Sequence, residues 1–178
     1  MKAITRNLLA AMSAVAGLSL FAAPLTASAA NTATGTLQAQ IVITSDCTVS
    51  GGNSKLDFSS HKSTETDASA NNGGFSVTCT NLTPYTIGLQ SASAGSTTNG
   101  AGVMSSTAPG VSQTIGYQLY QDSSYSTAWG NSTSGTANVK SATGTGAAQA
   151  YVVYGKTTST LNVPAATYSD TVNINVYY

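Results

Sequence analysis

Few residues in this chain are equipped for chemistry. His61 is the single histidine, set in a polar loop beside Lys62, and Cys47 and Cys79 are the only cysteines. A nucleophilic triad needs a nucleophile, a base and an orienting acid brought together. With one histidine, remote from any Ser or Cys in a strand-to-turn context, the sequence predicts no catalytic residue and no enzyme. Asp170 fits better as a hydrogen-bond partner for turn backbone than as an acid catalyst. A metal site would want more Cys or His nearby, and a redox pair would sit at CxxC spacing, so no metal and no cofactor is expected. In an exported chain an even cysteine count points to a disulfide. A Cys47–Cys79 bridge would stabilise by about 3 to 4 kcal/mol in the chain-entropy model.

The export signal lies in residues 1–30. Lys2 and Arg6 precede an apolar run over 8–23, followed by Pro24 and the small residues Ala27, Ser28, Ala29 and Ala30. These are the three regions of a secretory signal peptide, with cleavage expected after Ala29 or Ala30. The run is too short and too rich in Ala and Ser for a membrane span, which needs about 20 apolar residues. The mature chain beyond it has single-domain length. It carries Lys55, Lys62, Lys140 and Lys156 against all six acidic residues, and no arginine. Nucleic-acid binding draws on clustered Lys and Arg, so no nucleic-acid partner is expected. Thr, Ser, Asn, Gly and Tyr dominate between alternating Val, Ile, Leu and Tyr, a composition that suits an extracellular β-protein.

Any functional residue must then be positioned by strands. At the C-terminus Val172, Ile174, Val176 and Tyr178 alternate with Thr171, Asn173, Asn175 and Tyr177, the period-two pattern of a half-buried strand. The chain is expected to end on that strand, so that any further strand beside it must come from elsewhere. Near the other end Ala33, Gly35, Leu37, Ala39, Ile41 and Ile43 share one face, opposite mostly Thr and Gln. At about 3.3 Å per residue this segment is longer than one strand of a small sandwich needs. It reads either as two strands in series or as one long edge strand behind a disordered tail. Further strands are predicted at 56–58, 75–79, 84–89, 114–120 and 148–155, with brief ones near Val103-Met104 and at Leu161 and Val163. Trp129, the sole tryptophan, is expected to plug the end of a core. No stretch beyond residue 30 has helical periodicity, and the strand spacing argues for a β-sandwich.

The terminal Tyr168-Ser169-Asp170-Thr171-Val172, followed by alternating apolar residues, resembles the closing motif of the spore coat protein U domain, the subunit domain of archaic chaperone/usher pili. Leu56-Asp57-Phe58, Val77-Thr78-Cys79-Thr80, Pro84-Tyr85-Thr86-Ile87-Gly88-Leu89, Tyr117-Gln118-Leu119-Tyr120, Trp129-Gly130 and Val153-Tyr154-Gly155 keep the family order across nearly all of the mature chain. One departure is Ala166, where family members usually place a glycine.

The resemblance implies an all-β, incomplete immunoglobulin-like sandwich that lacks its last strand and is completed by donor-strand exchange. It divides the chain into a signal peptide (1–30), a donor extension (31–39) and a pilin domain (40–178), with an intramolecular first strand over about 40–47. Ala33, Gly35, Leu37 and Ala39 would be the donor face. Ile41, Ile43, Val172, Ile174, Val176 and Tyr178 would belong to the acceptor groove and terminal strand. The implied partners are other pilin subunits in a homopolymer, a periplasmic chaperone and an outer-membrane usher, on a route through the periplasm to a surface pilus serving attachment and biofilm formation. One domain with a donor-like segment favours a shaft subunit over a tip adhesin. Two other readings remain: a coat protein that self-assembles without a chaperone, and a secreted binding module using Tyr117, Tyr120 and Trp129.

Overall fold

A computed structural model describes residues 30–51, 55–93, 97–133 and 138–178. The expected signal peptide lies outside the described residues, apart from Ala30. Ile41–Tyr178 forms one unit and residues 30–40 lie outside it. In that leading stretch every residue is exposed and none is in a strand.

Among the described residues eight strands build the larger unit: β1 (Cys47–Ser50), β2 (Ser69–Cys79), β3 (Pro84–Ser91), β4 (Ala101–Ser105), β5 (Thr114–Tyr120), β6 (Lys140–Thr143), β7 (Gln149–Thr157) and β8 (Val172–Tyr177). Among the described residues there is no helix. One sheet has the order β1-β2-β7-β5-β4 and the other β6-β3-β8, and every pairing is antiparallel. The expected all-β sandwich is what the chain forms.

Alternation explains the core between the sheets. Phe75 and Val77 from β2, Tyr117 and Leu119 from β5, and Ile87 and Leu89 from β3 all point inward and join one buried cluster. Each such side chain contributes roughly 1.5 to 3 kcal/mol on leaving water. Trp129 closes one flank of this core. It is 0% exposed, its ring packs against Phe75 and Tyr151, and its indole Nε1 donates to the Ile87 carbonyl at 2.9 Å. The disulfide is formed: Cys47 and Cys79 face each other at the ends of β1 and β2.

Three expected strands are absent or shorter. β1 starts at Cys47, not at Gln40, because its strand partner runs out: β2 ends at Cys79, the chain turns over residues 80–83 into β3, and residues 44–46 are held instead by Thr80, whose N–H donates to the Asp46 carbonyl at 2.9 Å and whose hydroxyl accepts from Asp46 N–H at 3.0 Å. Residues 56–58 are irregular; the Asp57 N–H and carbonyl are bonded by the Asn72 side chain, and the Asp57 carboxylate accepts from Ser59 N–H. At Leu161 and Val163 the Val163 N–H donates to the Leu161 carbonyl at 2.8 Å. That closes a tight three-residue turn.

Candidate functional site

The site is built from the last strand. β8 lies at the edge of the three-stranded sheet with β3 as its neighbour. In an antiparallel ladder the N–H and C=O of one residue point the same way and alternate along the strand. Leu89 N–H donates to the Gly130 carbonyl and the Ile87 carbonyl accepts from Trp129, so both residues point away from β8. Their register partners, Ile174 and Val176, therefore point away from β3, and Val172 follows by alternation. Three N–H and three C=O groups thus line the outer edge of β8, and among the described residues no strand pairs with them.

Below that edge runs a groove of about 1250 Å³. Its floor is the inner face of the five-stranded sheet, with Phe75, Tyr117, Leu119 and Val153, and its rims are residues 163–172 with β8 on one side and residues 55–63 on the other. Val172, Ile174 and Val176 turn their half-buried side chains into the core beneath. The groove is therefore apolar at its base and carries an unpaired backbone edge along one lip.

A polar cluster fixes the start of β8. The Tyr117 hydroxyl donates to Asp170 Oδ2 at 2.7 Å, the Ser91 hydroxyl donates to the same oxygen, and Thr171 N–H donates to Oδ1 at 2.8 Å. Burial, and then the hydrogen bond to Asp170, push the Tyr117 phenol well above its ordinary value of 10.0. Ser105 and Ser169 exchange two backbone hydrogen bonds, at 3.0 and 2.9 Å, tying the segment before β8 to β4.

The opposite rim is clasped by His61. Its Nδ1 lies 2.5 Å from Glu65 Oε2 and its Nε2 lies 2.6 Å from the Phe58 carbonyl. The hydrogen bond to Glu65, then that to Phe58, raise the imidazole above its ordinary value of 6.5. Both ring nitrogens are engaged in holding a loop.

The expected site residues fall into two groups. Val172 and Ile174 line the groove and Val176 packs against the core beside it, whereas Tyr178 lies beyond β8 and is exposed. Ile41 and Ile43, expected at the acceptor groove, lie outside β1 and are 82% and 72% exposed. Ala33, Gly35, Leu37 and Ala39 are exposed, Leu37 at 95%. The aromatic binding face is corrected outright: Tyr117 and Trp129 are core residues, and only Tyr120 points outward, where it packs edge-on against Tyr125. Sequence reading missed the groove-lining role of residues 59–63 and 163–167, which have no period to betray them.

Comparison with curated proteins finds no match. A similar solved structure is the CsuC-CsuE chaperone-tip adhesion subunit pre-assembly complex from archaic chaperone-usher Csu pili of Acinetobacter baumannii, with 21% identity and a TM-score of 0.49 over 76% of this chain. The match covers 40% of that chain, so the present chain spans less than half its length. The family profile described as Spore Coat Protein U domain matches residues 33–175, from the exposed leading segment into β8, and the chain belongs to that family.

Proposed function

We propose that the protein is a structural subunit of an archaic chaperone/usher pilus that polymerises by donor-strand complementation, serving surface attachment and biofilm formation. The observation that carries this reading is the unpaired outer edge of β8 above an apolar groove. An extended segment laid there would add a strand to the sheet, the mode of recognition known as β-augmentation. Up to six backbone hydrogen bonds would form, each worth about 0.5 to 1.5 kcal/mol net. The donor is residues 31–39 of a neighbouring copy, with Ala33, Gly35, Leu37 and Ala39 facing the floor. A one-residue slip would turn the Thr and Gln face inward, so the alternation itself sets the register.

An open apolar edge is an aggregation hazard. A periplasmic chaperone covers it after export, and an outer-membrane usher exchanges that cover for the next subunit's donor. The product is a homopolymer at the cell surface, with this chain as a shaft subunit.

The test is to express the mature chain alone in the periplasm and measure its size by chromatography, with and without a peptide spanning residues 31–40. Aggregates or ladders that collapse to one stable species with the peptide are expected. A monomer indifferent to the peptide would overturn the reading and mean that the fold closes on itself.

A further inference from the structure

The rim formed by residues 55–61 does more than border the groove. Two glycines on adjacent strands, Gly73 in β2 and Gly155 in β7, leave the inner face of the five-stranded sheet without side chains at neighbouring positions. Leu56 and Phe58 fill that dent. A Cβ at Gly155 would lie 2.7 Å from Leu56 Cδ2 and 2.9 Å from Phe58 Cζ, and one at Gly73 would lie 3.1 Å from Leu56 Cβ. Phe58 also packs against Tyr117 in the floor, with ring centroids 6.4 Å apart. Seats this close leave no room to sink further.

Nor can the segment easily be pushed aside. Asn72 sits where the β2–β7 register shifts, between Ala70 and Gly73, and such a bulge re-aims a side chain. Its Oδ1 accepts from Asp57 N–H at 2.8 Å and its Nδ2 donates to the Asp57 carbonyl at 3.0 Å. Ser59 N–H donates to Asp57 Oδ1 at 2.8 Å, and His61 grips the Phe58 carbonyl. The two apolar side chains are thus fixed from both sides of their own backbone.

We propose that Leu56 and Phe58 are a rigid filler that sets how thick an inserted strand the groove accepts, making them specificity-determining residues for the donor. The inference rests on the donor-strand reading above. The donor face offers Ala33, Gly35, Leu37 and Ala39, one bulky residue among three small ones, which suits a groove whose interior is already partly occupied. A bulkier donor would have to overpack against a filler that does not yield, and overpacking is destabilising.

The full mature chain is refolded with labelled peptides spanning residues 31–43, and their affinities are compared. One peptide is natural and the others carry Ala33→Leu or Ala39→Leu. On the unmodified chain at least one enlarged peptide binds about tenfold or more weakly than the natural one; on Phe58→Ala that penalty shrinks to below about threefold. Phe58→Leu, a milder change, carries the comparison if Phe58→Ala does not fold. Binding of the natural peptide with an unchanged ratio in the variants, or with no penalty on the unmodified chain, overturns the filler alone. Failure of the natural peptide to bind overturns both the filler and the donor-strand reading.

Discussion

Asp170 gathers donors from three places: Ser91 at the end of β3, Tyr117 in β5 and its own neighbour Thr171. Ser91 is 2% exposed and Tyr117 3%, so water has little access to replace the carboxylate. Asp170→Ala takes away the acceptor of the Tyr117 hydroxyl, while Ser91 can still turn to the Ser93 hydroxyl 2.7 Å away, and a stranded buried polar group costs about 1 to 3 kcal/mol. The expected result is a lower urea midpoint with an unchanged slope, and a smaller loss for Asp170→Asn, which keeps an acceptor oxygen. His61 and Glu65 make a second test. The raised His61 value gives a contribution fully present below 6.5 and lost as pH rises through the folded value. Glu65 is lowered from 4.5, first by His61 and then by the Lys62 N–H, so its contribution is present above 4.5 and lost as pH falls through the folded value. The pair is therefore at full strength between 4.5 and 6.5. A proton NMR titration should place the His61 midpoint above 6.5, and Glu65→Gln should bring it back toward 6.5.

At the scale of elements, the register of β8 makes a prediction that side chains cannot. In the peptide-free subunit the amides of Val172, Ile174 and Val176 should exchange with solvent quickly, while those of Asn173 and Asn175, which face β3, are protected. Donor peptide should slow the first set and leave the second little changed. Equal protection of both sets without peptide would mean that the outer edge is already paired. The strands themselves were largely readable because most bury one face: β5 runs Thr114–Tyr120 as its alternation predicts, and the edge strand β4 lies where Val103 and Met104 suggested it. Periodicity misled at Leu56 and Phe58, since two inward side chains separated by one outward residue look the same whether the backbone pairs with a strand or is held by Asn72. β6, of sequence Lys-Ser-Ala-Thr, has no hydrophobic pattern to announce it and is selected by the vacant flank of β3. The groove was legible only as a consequence of family resemblance; apart from β8 its lips are loops, and loops are placed by tertiary contacts.

For the whole molecule, the donor-strand reading makes assembly and folding parts of one process. Deleting residues 32–39 should leave a subunit that a chaperone still accepts but that cannot enter another subunit's groove, and electron microscopy of cells making only this variant should show no pili of normal length. Reducing the Cys47–Cys79 bridge should cost about 3 to 4 kcal/mol, read as a lower melting temperature of the peptide-complemented subunit. The same bridge has a mechanical consequence. In a filament held together by inserted strands, a pull on the leading segment enters the sandwich at residue 47. There the load divides, and the covalent branch passes directly to Cys79, bypassing a sequence separation of 32. Residues 48–78 are thereby shielded as slack that cannot pay out under tension, and the stretch most exposed to force is residues 40–43, which lies outside any strand, is exposed, and precedes the residues that Thr80 holds. Such a subunit would lengthen under load by straightening its connector while its β-sandwich stays folded.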